Sequence, residues 1–184
     1  MIPNYIDRAM PTLRLLITGP PGCGKTTLIK RVAESVTVPY CGFFTAEIRR
    51  KGKRVGFEIE SFSGNRAVMS HVDIKSRYKV GCYGVDISSI EKIAVPEMRT
   101  ALSERRLLII DEIGKMELHS GFFKDLLTEI FSRDLPFVGT ILYKGHPFCD
   151  RLKRSPGTEV IILEKMNFDS TFANVADKLK ELYS

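Results

Sequence analysis

The chain has 184 residues, 43% hydrophobic and 27% charged, with a formal net charge of +6. That length suits one domain able to bury roughly 70% of its extended surface, so no disulfide or metal staple is required. No apolar run approaches the roughly 18 residues of a membrane span, and MIPNYIDRAMPTLR lacks a signal-peptide core, so the expected location is the cytoplasm.

Residues 1–10 carry no periodic pattern and read as a loose N-terminal extension, with Met10 as an alternative start. Leu13 to Thr18 is an apolar run that predicts a strand. Directly behind it stands GPPGCGKTT, which fits G-x-x-x-x-G-K-[ST]. Each position in Gly19, Pro20, Pro21, Gly22, Cys23, Gly24, Lys25, Thr26 and Thr27 is therefore a candidate nucleotide contact. Gly19, Gly22 and Gly24 permit backbone angles and approaches that a side chain would block. Backbone N–H groups can then converge on an anion. Lys25 would place a charge at the β- and γ-phosphates, and the Thr26 hydroxyl would ligate Mg²⁺. Cys23 is read as a residue small enough for the loop. A helix follows to about Ser35, with Leu28, Ile29, Val32, Ala33 and Val36 at helical spacing, and its positive end faces the phosphates.

From Gly42 to Gly64 the pattern becomes period-two. Phe44, Ala46 and Ile48 alternate with polar residues, as do Val55, Phe57 and Ile59, around a Lys51-Gly52 turn. This predicts a β-hairpin insertion over about 42–64, with the two glycines as flanking breakers. The basic cluster Arg49-Arg50-Lys51-Gly52-Lys53-Arg54 at its tip is read as a solvated turn rather than an RNA or phosphate contact. His71 to Asp86 is expected to be short strand or loop. Ser88 or Ser89 is expected to cap a helix running to about Glu104, broken or kinked at Pro96.

Arg105 to Glu112, RRLLIIDE, reads as a buried parallel strand ending in acid. Ligands of open α/β sheets gather at the carboxyl ends of strands, where the phosphate loop also sits. Asp111 is therefore expected to face Mg²⁺ through a water, and Glu112 to orient or deprotonate the attacking water. An acid in that second position is typical of P-loop proteins that carry their own base, a fold-level analogy. A helix over about Gly121 to Arg133 is expected to bury Phe122, Phe123, Leu126, Leu127, Ile130 and Phe131. Phe137 to Leu142 and Glu159 to Leu163 read as strands, and Phe172, Val175, Ala176, Leu179 and Leu182 stripe a last helix. Alternating strands and helices predict an α/β fold with a mostly parallel sheet.

Several further residues are candidates for accessory roles. Lys115, Arg77, Arg49 and Arg54 are candidate cations for the γ-phosphate, each also readable as a surface charge. Glu117 reads either as an acid behind the metal site or as a helix-start carboxylate. The Thr140 hydroxyl either nears the γ-phosphate or is satisfied within the core. The four cysteines, Cys23, Cys41, Cys82 and Cys149, form no C-x-x-C pair and no zinc spacing, as expected of reduced thiols.

The motifs GPPGCGKTTLIKR, GFFTAEIRRKGKRVGFEIESFSG, YKVGCYGVDI, LLIIDEIGKMEL and FVGTI occur in that order. Together they resemble the small P-loop nucleoside-triphosphatases of thermophilic prokaryotes, a family with a cancer-related human relative. The resemblance spans about Leu13 to Leu163. It implies a three-layer RecA-like P-loop fold and a monomeric, Mg²⁺-dependent hydrolase of nucleoside triphosphates with little base preference. It also implies that Gly19 to Thr26 hold phosphate and that Ile110, Asp111, Glu112, Ile113 and Gly114 form the second nucleotide-contacting stretch. The N-terminal extension and Lys165-Met166-Asn167-Phe168-Asp169 depart from the family pattern, the latter lacking its arginine. The absence of Asn-Lys-x-Asp, which reads guanine in GTPases, independently points to permissiveness, since discrimination needs polar groups left unpaired by the wrong base. Two other readings remain open: a nucleotide or small-molecule kinase, and a nucleotide-gated module binding RNA or protein.

Overall fold

The computed structural model describes residues 13–183. The expected extension over residues 1–10 lies outside them. In chain order the strands are β1 (Arg14–Thr18), β2 (Tyr40–Arg50), β3 (Lys53–Ser61), β4 (Arg66–His71), β5 (Lys79–Val80), β6 (Tyr83–Val85), β7 (Leu107–Ile113), β8 (Phe137–Ile141) and β9 (Thr158–Ile162). The α-helices are α1 (Lys25–Ser35), α2 (Ile87–Glu104), α3 (Gly121–Ser132), α4 (Pro147–Lys153) and α5 (Phe168–Tyr183).

All the strands join one sheet, in the order β5-β6-β4-β3-β2-β7-β8-β1-β9. From β2 to β9 the pairings are parallel, whereas β3, β4, β6 and β5 continue the sheet antiparallel. The architecture is the expected three-layer α/β fold, but the sheet is mixed. The insertion is more than a hairpin, because β4, β5 and β6 from the ambiguous middle segment extend it.

The sheet separates two apolar layers. On one face α2, α3 and α4 pack around Phe43, Ile59, Met69, Ile110, Phe123 and Phe137. On the other, α1 and α5 pack around Leu15, Ile17, Leu28, Val32, Ile109 and Val175. Alternation along β1 explains this: Leu16 belongs to the first layer, Leu15 and Ile17 to the second.

Several local expectations need correction. Gly42 is no breaker but lies within β2, where a Cβ would sit 1.8 Å from the Ile109 carbonyl oxygen. Only glycine lets β2 approach β7 this closely. The apolar stripes of β2 and β3 face opposite sides, since Thr45 pairs with Ile59 and Glu47 with Phe57. Phe44 instead turns toward α1, with the Lys30 ammonium 4.0 Å from its ring centroid. Helix α2 is capped by Asp86, whose carboxylate accepts from the N–H groups and hydroxyls of both Ser88 and Ser89. It runs unbroken through Pro96. Phe122 is 62% exposed, so the buried stripe of α3 begins at Phe123. The Lys51-Gly52 turn is as expected, both residues having positive φ (49° and 78°), as a tight two-residue hairpin turn requires.

Candidate functional site

The carboxyl ends of β1, β8 and β7 meet at one edge of the parallel core. The loop leaving β1 has Gly19 pressed so tightly on the chain after β9 that a Cβ would lie 2.2 Å from the Leu163 carbonyl oxygen. Gly22 and Gly24 adopt φ of 75° and 102°. Gly24 caps α1, and a Cβ there would press on the Phe168 ring at 3.2 Å. Cys23 is buried beneath the loop, and its N–H donates to the Pro20 carbonyl at 3.4 Å. Pro20, Pro21, Gly22 and Thr27 are exposed, while Lys25 and Thr26 are half-buried at the start of α1. The Lys25 ammonium donates to the carbonyls of Gly19 (3.1 Å) and Pro20 (3.3 Å), spanning the turn from behind.

At the end of β7 the ladder with β8 becomes irregular between Ile110 and Ile113, the interval occupied by Asp111 and Glu112. Asp111 is 1% exposed. Its Oδ1 accepts from the Thr140 hydroxyl at 2.7 Å, and its Oδ2 is buried without a hydrogen-bond partner. Burial pushes the Asp111 carboxyl above its ordinary range, opposed by Thr26, Thr140, Lys25 and Lys30. Burial likewise raises Glu112, helped by the neighbouring Asp111 charge and opposed by Lys25. Lys25 thus acts on both acids, placing β7's end beside the loop. A buried carboxylate oxygen lacking a close partner is unusual, and the Thr26 side chain acts on this same carboxylate from the start of α1. Thr140 is 0% exposed and its hydroxyl donates to Asp111, so it is satisfied within the core while lying beside the acid.

Glu117 is 4% exposed and its Oε2 accepts from the Gly114 N–H at 3.0 Å. Its carboxyl is pushed up to about 8 by burial, then by the Glu112 and Asp111 charges. A Cβ on Gly114 would stand 2.8 Å from Glu117 Oε2 and 3.4 Å from Glu112 Cδ, so the two carboxyl groups are near neighbours. Glu117 is therefore much more than an exposed helix-start carboxylate. Lys115 is exposed but shares a cleft with Glu112 and Glu117.

The other candidate cations are engaged elsewhere. Arg49 and Arg54 both pair with Glu47 at the hairpin, at 2.6 and 2.7 Å, and Arg54 also stacks on Phe57. Arg77 is exposed between β4 and β5, its guanidinium 4.8 Å from the Tyr78 ring centroid. Ile110 and Ile113, which flank the two acids on β7, are fully buried in the core. Leu163 and Phe168, which brace the loop glycines, carry no motif of their own and are visible only once the chain is folded.

A family model described as NTPase matches residues 14–176. The chain belongs to this NTPase family. Among its relatives, nucleoside-triphosphatase THEP1 of Thermotoga petrophila is 39% identical over 168 residues, covering 91% of this chain and 93% of that protein. The human cancer-related nucleoside-triphosphatase is 37% identical, covering 83% and 89%. The crystal structure of THEP1 from Aquifex aeolicus superposes with a TM-score of 0.83 at 36% identity, covering 91% of this chain and 99% of that one. The solution structure of the human family member gives 0.79 at 34% identity, covering 92% and 98%. The family's fold is thus the one observed here, including the resemblance inferred from the ordered motifs.

Proposed function

We propose that the chain is a Mg²⁺-dependent nucleoside-triphosphate phosphohydrolase converting NTP and water to NDP and phosphate, with broad base tolerance. The observation that carries this reading is the buried, partnerless Oδ2 of Asp111 beside a glycine-shaped loop, with Glu112 one residue on. The names of the relatives point the same way.

The donor set fits Mg²⁺. That ion takes oxygen ligands, uses one or two carboxylates plus substrate phosphates, and retains waters. Asp111 and the Thr26 hydroxyl would supply the protein's share. Among the described residues no group of three or more acids, histidines or cysteines is disposed to hold a metal ion by itself. When bound, Mg²⁺ neutralises charge developing on the β- and γ-phosphate oxygens.

The chain's own residues do the rest. Backbone N–H groups at Gly22 to Thr26 and the start of α1 bind phosphate oxygens. Lys25 exchanges its carbonyl partners for the phosphates and stabilises the charge spread over the transferring group. Thr140 keeps Asp111 in one orientation. Glu112, whose carboxyl is raised above its ordinary range by burial and the Asp111 charge, takes a proton from the water attacking in line. No described helix is long and apolar enough to cross a membrane.

Phosphate release from ATP, GTP, CTP and UTP, with Mg²⁺ and with EDTA, tests the reading. Turnover on all four within about tenfold of one another, abolished by EDTA, is the expected result. Turnover of one base alone, or turnover indifferent to EDTA, contradicts it.

A further inference from the structure

We propose that the turn between β9 and α5 seats the base of the bound nucleotide, with Met166 as a stacking surface that accepts every base and holds purines more tightly than pyrimidines. This deepens the nucleotide-hydrolysing reading and rests on it.

The strand order β7-β8-β1-β9 sets the direction in which a nucleotide lies. The phosphate loop leaves β1, and the acids assigned to the γ-phosphate end stand on β7, on the β8 side of it. A triphosphate seated in the loop with its γ end toward β7 has its nucleoside end toward β9. That strand stays paired with β1 to its last residue, Ile162 beside Thr18, and the Leu163 N–H then donates to the Thr18 carbonyl at 2.7 Å. The chain leaving β9 is therefore the neighbour of the loop on that side.

Both ends of this connecting chain are pressed against the loop. The Leu163 carbonyl oxygen would lie 2.2 Å from a Cβ on Gly19, and the Phe168 ring 3.2 Å from one on Gly24. Between these two anchors Glu164, Lys165 and Met166 are exposed, Met166 at 98%. The turn is nevertheless braced. Asn167 Oδ1 accepts from the Glu164 N–H at 2.8 Å, and its Nδ2 donates to the Ile162 carbonyl at 2.9 Å. The Glu164 side chain in turn accepts from the Asn167 N–H. A methionine bared at the apex of such a turn offers a polarizable thioether to a flat ring, a favourable pairing.

The same bonds settle what the turn reads. Bases are told apart by the donors and acceptors on their edges, and discrimination needs polar groups that the wrong base leaves unpaired. The amide of Asn167 and the carboxylate of Glu164 are both engaged within the turn. Lys165 adds a point charge on a flexible stem. What is left for recognition is the face of the ring, which every base possesses. A two-ring purine covers more of Met166 than a one-ring pyrimidine, and this gives the order of affinity.

The test uses full-length protein labelled at its methionine methyl groups, with Mg²⁺ and three probes: ADP, UDP and inorganic tripolyphosphate, which has no base. The Met166 methyl signal should shift saturably with ADP, less with UDP and not with tripolyphosphate. Met98, fully buried under α2, serves as the internal reference. Met166→Ala should weaken ADP about three- to tenfold, the range of a thioether–ring contact, and leave tripolyphosphate within about twofold. Met166→Phe, which restores a stacking face, should recover ADP affinity. If ADP binds without shifting Met166 beyond what tripolyphosphate does, or if Met166→Ala weakens both ligands alike, the inference is overturned. Failure of both ADP and tripolyphosphate to bind wild type would instead overturn the reading of the phosphate loop beneath it.

Discussion

Asp111 accepts a 2.7 Å hydrogen bond from the Thr140 hydroxyl while its other oxygen is buried without a close partner, so its orientation depends on Thr140. Thr140→Val removes a hydrogen bond to a charged group, worth about 1.5–3 kcal/mol, while preserving shape. If that bond sets the acid's orientation, kcat should fall about ten- to hundredfold with secondary structure unchanged, checked by phosphate release beside circular dichroism. Glu117 makes a different prediction. Its folded-state pKa, about 8, lies above the value of an exposed glutamate, so folding takes up a proton between those values. Stability contributed by the protonated acid is therefore full below about pH 4 and declines as pH rises to about 8. Glu117→Gln keeps an acceptor for the Gly114 N–H without the ionisation. Urea unfolding from pH 5 to 9 should show a flatter profile for this variant, which should exceed wild type in stability at pH 8.

The elements around the site differ in how plainly the sequence announces them. β1, the loop and β7 are legible because each is a short apolar run joined directly to its chemistry. The antiparallel extension is less so. Period-two alternation identifies β2 and β3, but cannot say that Thr45 rather than Ala46 faces Ile59, because pairing and the bulge near Ile48 fix the shared face. Helix α4 escapes notice because seven residues are too few to show a period. The α2 cap falls on Asp86 because one carboxylate reaches two amides and two hydroxyls, which neither serine could match. Asp86→Ala should therefore destabilise the protein by about 1–2 kcal/mol in urea unfolding. Gly19 is the corresponding test for the loop. Gly19→Ala drives a methyl into the Leu163 carbonyl, a backbone atom that cannot swing aside, and should cost about 1–3 kcal/mol together with nucleotide affinity.

Across the whole molecule, the division of labour follows the sheet. The parallel half, with β8 between β1 and β7, brings the loop and the acids to one edge, while the antiparallel half builds a wall beyond Glu112. The first is readable from motifs because phosphate chemistry dictates residue types at fixed spacing. The second depends on Thr45, Val80 and Glu117, far apart in the chain, coming to line one cleft, so no local pattern reveals it. The net charge of +6 likewise says little about partners: Arg49 and Arg54 at the hairpin are both tied to Glu47.

The central claim is that Glu112 acts on the attacking nucleophile while the loop holds the nucleotide, and one comparison tests it most directly. Wild type and Glu112→Gln are compared for NTP affinity and for phosphate release with Mg²⁺. The account predicts affinity within about threefold and release slowed by about 10²–10⁴ in the variant, the usual range for a positioned base. Release at the wild-type rate from Glu112→Gln would contradict it and move the base elsewhere in the site.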